Sequence, residues 1–326
     1  MAAEASVNVV ILGDYEGCLR KYSDWSNVDN KASITIHNNA LQGQQLSEVI
    51  QDADVIVIVR DRVPINAEII STLTKLKLVV FTGAKNDTLD VSALAARNIP
   101  IAHTAGGPSK DTATELTWTL ILASSRRLIE EAALVKQGIW RHDHSVLPMV
   151  HGARLGLIGL GEIGSRVARI AKAFNMDIVV WSPNMTAERA AAHDVKFVSL
   201  EELLSTSNIV SLHLAVGKTN GGLIDAEKLA LMRSDSIFVN TSRSALVKTD
   251  DLLEALSNGR PGYAAVDVFD VEPLPADDRL RSTPNLLITP HLGFTYDRVF
   301  SAFSEGITST LEAWLAGEPL PKPYIP

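Results

Sequence analysis

Residues 154–168 read Arg-Leu-Gly-Leu-Ile-Gly-Leu-Gly-Glu-Ile-Gly-Ser-Arg-Val-Ala, a short apolar run followed by closely spaced glycines. Apolar residues then return at helical spacing, so the pattern predicts a strand, a tight turn and a helix. Gly159, Gly161 and Gly164 have the G-x-G-x-x-G spacing. In that arrangement the first glycine permits the turn, the second lets a pyrophosphate approach the backbone, and the third lets the helix pack closely on its strand.

The glycine spacing alone is a weak signal, because glycine accounts for 20 of the 326 residues. Three glycines at these offsets would arise by chance in about 7% of chains of this composition. The segment Asp177–Ser182 strengthens the signal, because it predicts a second buried strand and so completes a β-α-β unit of the expected length. We therefore interpret the turn as a dinucleotide-binding site. The alternative is a turn whose glycines serve packing only.

The composition is typical of a globular protein with two domains. Hydrophobic residues make up 46% and charged residues 21% of the chain, and 326 residues are too many for one comfortable core. No run of about 18 apolar residues is available to span a membrane. The formal net charge of −8 and the lack of Lys/Arg clusters argue against nucleic acid or an anionic membrane as a partner.

The cysteine content and the N-terminal residues predict a cytoplasmic protein. The one cysteine, Cys18, cannot form an internal disulfide, as expected in a reducing compartment. Residues 1–5 lack the basic start of a signal peptide, and the apolar run Val7–Leu12 is too short to be its core.

The first hundred residues alternate β-rich runs with helix-like segments, which predicts a parallel sheet covered on both faces. The predicted strands are Val7–Leu12, Ser33–Ile36, Asp54–Val59 and Lys77–Phe81, and the predicted helices are Gln44–Ile50, Asn66–Leu73 and Val91–Ala96. Ligands of such sheets bind at the carboxyl ends of the strands. Arg60 lies at one of these ends and is a candidate for a carboxylate contact, although a solvated surface role is the simpler alternative.

The second half repeats this alternation after a long connecting segment. Asp111–Gln137 has a helical period throughout and predicts one long helix that ends at Gly138. Strands are predicted at Val195–Val198, Ile209–His213, Ser236–Thr241, Tyr263–Val268 and Leu286–Thr289. A final helix is predicted over Tyr296–Ala316, followed by a proline-rich tail that we expect to be a loose terminus.

Three late strands end in residues suited to hydride chemistry. Arg243 follows one strand, Asp267 and Glu272 follow the next, and His291 follows the last. Because the strand ends of an open α/β sheet converge on one crevice, these side chains are expected to meet there.

These motifs resemble those of the D-2-hydroxyacid dehydrogenase family, the D-isomer-specific group that includes D-lactate and D-3-phosphoglycerate dehydrogenases and glyoxylate/hydroxypyruvate reductases. The resemblance extends from Leu78–Asp90 to Gly293. It implies an α/β protein with two doubly wound parallel-sheet domains. A flavodoxin-like substrate domain (1–103 and 293–326) would contain both chain ends, and a Rossmann NAD(P)-binding domain (104–292) would be inserted between them. A homodimer and a small 2-keto or 2-hydroxy acid substrate are also implied.

The resemblance implies a catalytic set of Arg243, Glu272 and His291, and the chemistry of these side chains agrees. The guanidinium fork suits the carboxylate and carbonyl of a 2-keto acid. A histidine is well suited to protonate the developing alkoxide near neutral pH, and a neighbouring carboxylate favours its protonated form. Each residue also has a simpler reading: Arg243 in a surface ion pair, Glu272 as a turn cap, and His291 as a buried structural histidine.

The resemblance also implies the cofactor and substrate contacts. The cofactor residues by this reading are Gly159, Gly161, Glu162, Ile163 and Gly164 at the pyrophosphate, Ser182, Leu214, Ala215 and Asn220 near the adenosine, and Thr241, Ser242 and Asp267 near the nicotinamide. Substrate contacts would come from Arg60 and from the backbone around Gly83 and Ala84. His213 is expected to be structural.

One departure from the family pattern leaves the choice between NAD and NADP open. Members that use NAD usually have an aspartate where this chain has Ser182, and the next residues, Pro183 and Asn184, are uncharged. Two alternative functions are a nucleotide-sensing scaffold similar to the C-terminal-binding-protein corepressors and a formate dehydrogenase. The scaffold would be expected to carry a long disordered tail, and formate dehydrogenase has a glutamine at the position of Glu272.

Overall fold

The structure is a computed structural model that describes residues 6–141, 146–217 and 219–325. Within these residues the chain forms two compact units. The first contains the described residues up to Pro108 and those from Thr295 onward, and the second is Ser109–Phe294. Residues 1–5, on which part of the localisation argument depends, lie outside the described residues.

Two parallel sheets account for the strands, one sheet in each unit. The strands are β1 Val7–Leu12, β2 Ala32–His37, β3 Val55–Ile58, β4 Leu78–Phe81, β5 Ile101–His103, β6 Arg154–Ile158, β7 Asp177–Trp181, β8 Lys196–Phe197, β9 Ile209–Leu212, β10 Ile237–Asn240, β11 Tyr263–Val266 and β12 Leu286–Ile288. The α-helices are α1 Ser26–Asp29, α2 Gly43–Ile50, α3 Ala67–Thr72, α4 Val91–Ala96, α5 Ser109–Ser125, α6 Leu128–Lys136, α7 Glu162–Ala173, α8 Ala187–Ala191, α9 Leu200–Thr206, α10 Ala226–Ala230, α11 Thr249–Ser257 and α12 Asp297–Leu315.

In the first unit the strand order is β2-β1-β3-β4-β5, the flavodoxin-like order. Strands β3 and β4 are buried along their whole length, which explains their continuous apolar sequence. One face of this sheet packs against apolar residues of α2, α3 and α4. The flavodoxin-like prediction is therefore confirmed for this unit.

In the second unit the order is β12-β11-β10-β9-β6-β7-β8. The sheet begins at the interior strand β6, builds outward through β7 and β8, and then continues from β9 on the other side of β6. This reversal is the switch point of a Rossmann fold, and the carboxyl ends of β6 and β9 flank it. The inserted Rossmann sheet is also confirmed.

The prediction of one long helix over Asp111–Gln137 is wrong, because the segment forms two helices, α5 and α6. Arg127, between them, has a left-handed backbone with φ +47°. Its guanidinium lies 3.9 Å from the ring centre of Tyr263 and donates to Asn285 Oδ1 over 3.0 Å. These distant partners stabilise a break that the local helical period does not reveal.

The expectation of a loose C-terminal tail is also wrong. Pro323 forms an antiparallel bridge to Ala102, and the Tyr324 N–H donates to the Ile101 carbonyl oxygen over 2.8 Å. The Tyr324 ring packs edge-on against Phe81. The tail therefore covers the free edge of β5, which would otherwise present unpaired backbone groups.

Candidate active site

Three glycines shape the turn between β6 and α7. Gly159 has φ +103°, and a Cβ there would lie 2.7 Å from the carbonyl oxygen of His213. At Gly164 a Cβ would overlap the carbonyl oxygen of Gly159. By contrast, a Cβ at Gly161 would meet no heavy atom of the described residues within 4 Å. The first and third glycines therefore permit close packing, while the second leaves the backbone open, as a pyrophosphate-binding turn requires.

The first turn of α7 adds N–H groups to this open turn. Its first helical hydrogen bond runs from Ser165 N to the Gly161 carbonyl oxygen over 2.9 Å. The N–H groups of Glu162 and Ile163 precede that bond and lack an intrahelical acceptor. Free N–H groups and the helix dipole together favour an anion at this position. The residues present thus fit the pyrophosphate of a dinucleotide.

The turn after β7 contains Ser182, which is partly exposed. Met185 N donates to the Ser182 carbonyl oxygen over 3.0 Å and closes the turn. From α8, Arg189 reaches back so that its Nη1 donates to the Asn184 carbonyl oxygen. A guanidinium therefore lies at a turn whose own residues are uncharged.

A loop after β9 contains the other residues assigned to the adenosine. Asn220 Oδ1 accepts from Gly217 N over 2.7 Å, and its Nδ2 donates to the Ala215 carbonyl oxygen over 2.8 Å. The Leu214 carbonyl oxygen accepts from the Ser242 hydroxyl. Asn220 thus stabilises the shape of this loop, of which Lys218 is not among the described residues.

The end of β10 is organised by Asn240, a buried residue that the sequence analysis did not single out. Its Oδ1 accepts from Ser242 N over 3.0 Å, and its Nδ2 donates to the Arg243 carbonyl oxygen over 3.1 Å. The Thr241 hydroxyl lies 2.8 Å from the Thr117 hydroxyl of α5. A polar residue closing an apolar strand, as in Val-Asn, is the sequence signal that would have identified Asn240.

His291 and Glu272 form a direct pair at the ends of adjacent strands. His291 Nδ1 lies 2.6 Å from Glu272 Oε2, and Glu272 Oε1 accepts from Phe269 N over 2.9 Å. The His291 ring also packs edge-on against Phe294. Arg243 follows the next strand of the sheet, β10, and its charge acts on Glu272. The three predicted residues are therefore brought together at one edge of the second unit.

Asp267 accepts hydrogen bonds from both sides of His291, from the Thr289 side chain before it and from two backbone N–H groups after it. Its Oδ1 accepts from the Thr289 hydroxyl over 2.6 Å and from Leu292 N over 2.8 Å, and its Oδ2 accepts from Gly293 N over 3.0 Å. His291 itself has a left-handed backbone, with φ +52°. These hydrogen bonds fix a conformation that is uncommon for a residue other than glycine. Thr289 is a second site residue that the sequence analysis did not identify.

The two carboxyl groups of the site have opposite pKa shifts. Burial raises the pKa of Glu272. The hydrogen bond and charge of His291, the hydrogen bond from Phe269 N and the charge of Arg243 together lower it by more, so the pKa of Glu272 lies below its ordinary value. Burial also raises the pKa of Asp267, and there the hydrogen bonds that it accepts do not fully compensate. Glu272 is therefore an anion beside His291 at neutral pH.

The residues assigned to the substrate lie at the carboxyl edge of the sheet in the first unit. Arg60 has φ +55°, and its N–H donates to the Thr82 hydroxyl over 2.9 Å. Its guanidinium lies directly over Gly83, where a Cβ would overlap Nη1. The Asn86 side chain donates to the Arg60 carbonyl oxygen over 2.8 Å. These contacts hold the Arg60 side chain above the turn at Gly83 and Ala84.

Comparison with known proteins identifies the class. Residues 118–293 match the model of the D-isomer specific 2-hydroxyacid dehydrogenase, NAD binding domain. The chain is 34% identical over 279 residues to D-3-phosphoglycerate dehydrogenase of Methanocaldococcus jannaschii, which covers 85% of this chain and 53% of that protein. It is 33% identical over 276 residues to glyoxylate reductase of Korarchaeum cryptofilum, covering 83% of this chain and 82% of that protein. The chain thus spans about half of the first relative and most of the second.

A solved structure agrees along nearly the whole chain. A putative D-3-phosphoglycerate dehydrogenase oxidoreductase from Ralstonia solanacearum superposes with a TM-score of 0.89 and 28% identity, covering 96% of each chain. A Rossmann sheet with an open pyrophosphate turn is the class of fold that binds dinucleotides, and the matched relatives are NAD-binding oxidoreductases. More narrowly, the chain belongs to the D-isomer-specific 2-hydroxyacid dehydrogenase family, whose members act on the hydroxyl group of 2-hydroxy acids. The predicted family, enzyme class and NAD(P) cofactor are confirmed, and the scaffold alternative is not favoured.

Among the described helices, none combines the length and apolar character that a membrane crossing requires.

Proposed function

We propose that the protein interconverts a small 2-keto acid and its D-2-hydroxy acid, with Arg243, Glu272 and His291 as the catalytic set. The observation that carries this proposal is the 2.6 Å contact between His291 Nδ1 and Glu272 Oε2, beside Arg243 at adjacent strand ends. Bound NAD(P)H supplies the hydride in the direction of reduction.

The roles follow from the chemistry of each group. Nδ1 of His291 faces the Glu272 carboxylate, so Nε2 is the atom that gives a proton to the alkoxide oxygen or takes it back. The Glu272 anion stabilises the protonated ring and fixes its orientation. The Arg243 guanidinium binds the substrate carboxylate and polarises the carbonyl group.

The cofactor site is proposed at the second unit's switch point. Gly159, Gly161, Glu162, Ile163 and Gly164 would hold the pyrophosphate. The adenosine would lie by Ser182, Leu214, Ala215 and Asn220, and the nicotinamide by Thr241, Ser242 and Asp267. Support comes from the open backbone at Gly161 and from Asp267 Oδ2, which accepts a single hydrogen bond from a described residue and retains a lone pair for a carboxamide.

The substrate carboxylate is proposed to contact Arg60 and the turn at Gly83 and Ala84. The Gly83 N–H already donates a hydrogen bond to the Thr104 hydroxyl over 3.1 Å. The Ala84 N–H has no acceptor among the described residues, so it is the backbone donor that we assign to the substrate. On this basis the first unit is the substrate domain (1–103 and 293–326) and the second is the dinucleotide domain (104–292), with the division falling close to Pro108 and Phe294.

We infer that the protein binds both NADH and NADPH, with a preference for NADPH. Ser182 provides no carboxylate to repel a 2′-phosphate, and the Arg189 guanidinium lies at the same turn. Titration of both cofactors should give Kd values within about tenfold, or about 1.4 kcal/mol. Ser182→Asp should weaken NADPH selectively, and Arg189→Gln should remove the NADPH preference. A wild type that already rejects NADPH a hundredfold would contradict this assignment.

We also propose a homodimer formed through α6 and the residues around it. Helix α6 buries none of its residues in the described chain, and Leu128, Ile129, Val135 and Trp140 are each at least half exposed. An apolar surface of this kind marks an interface. Light scattering should give a dimer mass for the wild type and a monomer mass for Ile129→Glu. The control Leu231→Glu, at an exposed leucine elsewhere, should stay dimeric, and a dimeric Ile129→Glu would contradict the interface.

A cytoplasmic location is proposed from the lone cysteine, Cys18, which is unpaired in the structure. Cell fractionation tests it, and recovery in a secreted fraction would contradict it.

The activity is tested most simply with purified protein and a panel of 2-keto acids that includes glyoxylate, pyruvate and hydroxypyruvate. NADH or NADPH absorbance should fall only when one or more of these acids is present. With pyruvate or hydroxypyruvate as substrate, the product should be the D-hydroxy acid, whereas glyoxylate gives the achiral glycolate. Absence of turnover with every 2-keto acid, in protein that binds the cofactor, would overturn the proposed function.

A further inference from the structure

Four charged side chains connect the first turn of α5 to the first two turns of α7. Lys110 Nζ forms an ion pair with Glu162 Oε1. Arg166 Nε lies 2.8 Å from Asp111 Oδ1, and Arg166 Nη1 lies 2.7 Å from the main-chain oxygen of Glu162 and 3.8 Å from its Oε2. The Glu162 carboxylate therefore lies between two cations, beside the open turn at Gly161.

The Glu162 carboxylate lies at the same helix N-terminus that is proposed to bind the pyrophosphate. Glu162 is the first residue of α7, where the helix dipole stabilises an anion in the free protein. A pyrophosphate at the N–H groups of Glu162 and Ile163 brings further negative charge to the same helix end. Like charges a few Å apart repel each other. A nearby cation that changes partner would remove this conflict.

We propose that Lys110 is a ligand of the cofactor pyrophosphate, and that Glu162 holds it at the turn while no cofactor is bound. When the cofactor binds, the Lys110 ammonium leaves the Glu162 carboxylate for a pyrophosphate oxygen. Arg166 remains as the partner of Glu162. The inference rests on the proposed cofactor site and adds to it a residue outside the glycine motif.

The exposure of the pair makes this exchange easy. The Lys110 side chain is 50% exposed and that of Glu162 is 62% exposed, and ion pairs in such surroundings contribute little stability. A lysine carries its charge on a flexible stem of four carbons, so the ammonium can move while the helix stays in place. Hydrogen bonds between a charged donor and a phosphate are among the stronger ones.

A purely structural role for the same charges predicts the opposite result. If the ion pairs only connect α5 to α7, loss of the Glu162 charge would destabilise the turn and leave nucleotide affinity unchanged or weaker. If Glu162 competes with the pyrophosphate for Lys110, the same loss strengthens nucleotide affinity. The direction of the change in affinity therefore separates the two roles.

The experiment is calorimetric titration with ADP-ribose, which has the pyrophosphate but no nicotinamide. Glu162→Gln should lower its Kd about three- to tenfold, and Lys110→Gln should raise it by about the same factor. Lys110→Arg, which keeps the charge, should retain most of the affinity. In the double variant the gain from Glu162→Gln should shrink, because the two residues are coupled.

Arg169→Gln is the matched control, because Arg169 is an exposed cation of the same helix with no ion pair among the described residues. Its Kd for ADP-ribose should equal that of the wild type. A Lys110→Gln protein that binds like this control, or a Glu162→Gln protein that binds no more tightly than wild type, would overturn the role of Lys110. A wild type that fails to bind ADP-ribose would overturn the cofactor site itself, and the inference with it.

Discussion

His291 Nδ1 and Glu272 Oε2 lie 2.6 Å apart, although 19 positions separate the two residues in sequence. The contact is made because β11 and β12 are neighbours in a parallel sheet, so that the segments after them start at the same edge. Glu272 also accepts from Phe269 N, and Asp267 holds the backbone next to His291. The pair is therefore fixed from both sides.

Replacing Glu272 with Gln removes the negative charge beside the imidazole ring. Glu272 is an anion at neutral pH because its interactions outweigh burial and keep its pKa below the ordinary value. Without that anion the imidazolium that takes part in turnover loses its charged partner. The alkaline limb of the kcat/KM profile for ketone reduction should therefore move to lower pH. An unmoved limb would leave Glu272 only the role of shaping the turn at Phe269.

Replacing Arg243 with Lys should be costly although the charge is retained. The ammonium cannot reproduce the planar fork that grips a carboxylate at two points. We expect kcat/KM for the preferred 2-keto acid to fall about ten- to hundredfold, since charge-assisted hydrogen bonds contribute about 1.5–3 kcal/mol. The control is Arg233→Lys, at a surface ion pair with Asp235, which should be neutral. Equal kcat/KM in wild type and Arg243→Lys would remove the two-point contact from the mechanism.

Replacing Asp267 with Asn should destabilise the turn that contains His291. The Asp267 carboxylate accepts three hydrogen bonds there. In the Asn variant an NH2 group replaces one of the two acceptor oxygens, so that it faces an N–H or O–H donor and a hydrogen bond is lost. The expected loss in free energy of unfolding is about 1–3 kcal/mol, measured by urea denaturation. Asp270→Asn, at an exposed carboxylate three positions away, should change it by less than about 0.5 kcal/mol. Equal losses for the two variants would contradict the role assigned to Asp267.

Replacing Gly83 with Ala should weaken substrate binding by displacing Arg60. The added Cβ would overlap Arg60 Nη1, and the backbone at φ +89° would be strained as well. We expect KM for the 2-keto acid to rise about tenfold or more, while the Kd for NADH changes little. Gly43→Ala separates the two effects, because Gly43 has φ +55° but open space around its Cβ. An unchanged KM in Gly83→Ala would remove Arg60 from the substrate site.

The two sheets could be predicted from the sequence because parallel strands that are buried on both faces have continuous apolar sequences, such as Leu78–Phe81. Arg243, Glu272 and His291 could be predicted to meet because they follow three of these runs. The break at Arg127 could not, since it is stabilised by Tyr263 and Asn285, more than 130 positions away. Local periodicity carries no record of such partners.

The hydrogen bonds inside the site could not be predicted from the sequence either. The polar end of an apolar strand marks Asn240 as a candidate, but its partner Ser242 N is brought to it only by folding. The Asp267 carboxylate that accepts from the Thr289 hydroxyl is likewise a tertiary partner. The same holds for the tail, where Tyr324 packs against Phe81 only because β5 lies at the sheet edge. The partners of the site residues and the position of the tail thus depend on tertiary contacts, which composition and residue spacing do not predict.

The central claim, that His291 exchanges the proton in 2-keto acid reduction, is tested most directly by the turnover of His291→Ala. The measurement is kcat for NAD(P)H oxidation with the preferred 2-keto acid, alongside the Kd for the cofactor. Loss of a general acid should lower kcat by about 10²–10⁴-fold and leave the cofactor Kd nearly unchanged. A variant that retains the wild-type kcat would contradict the account.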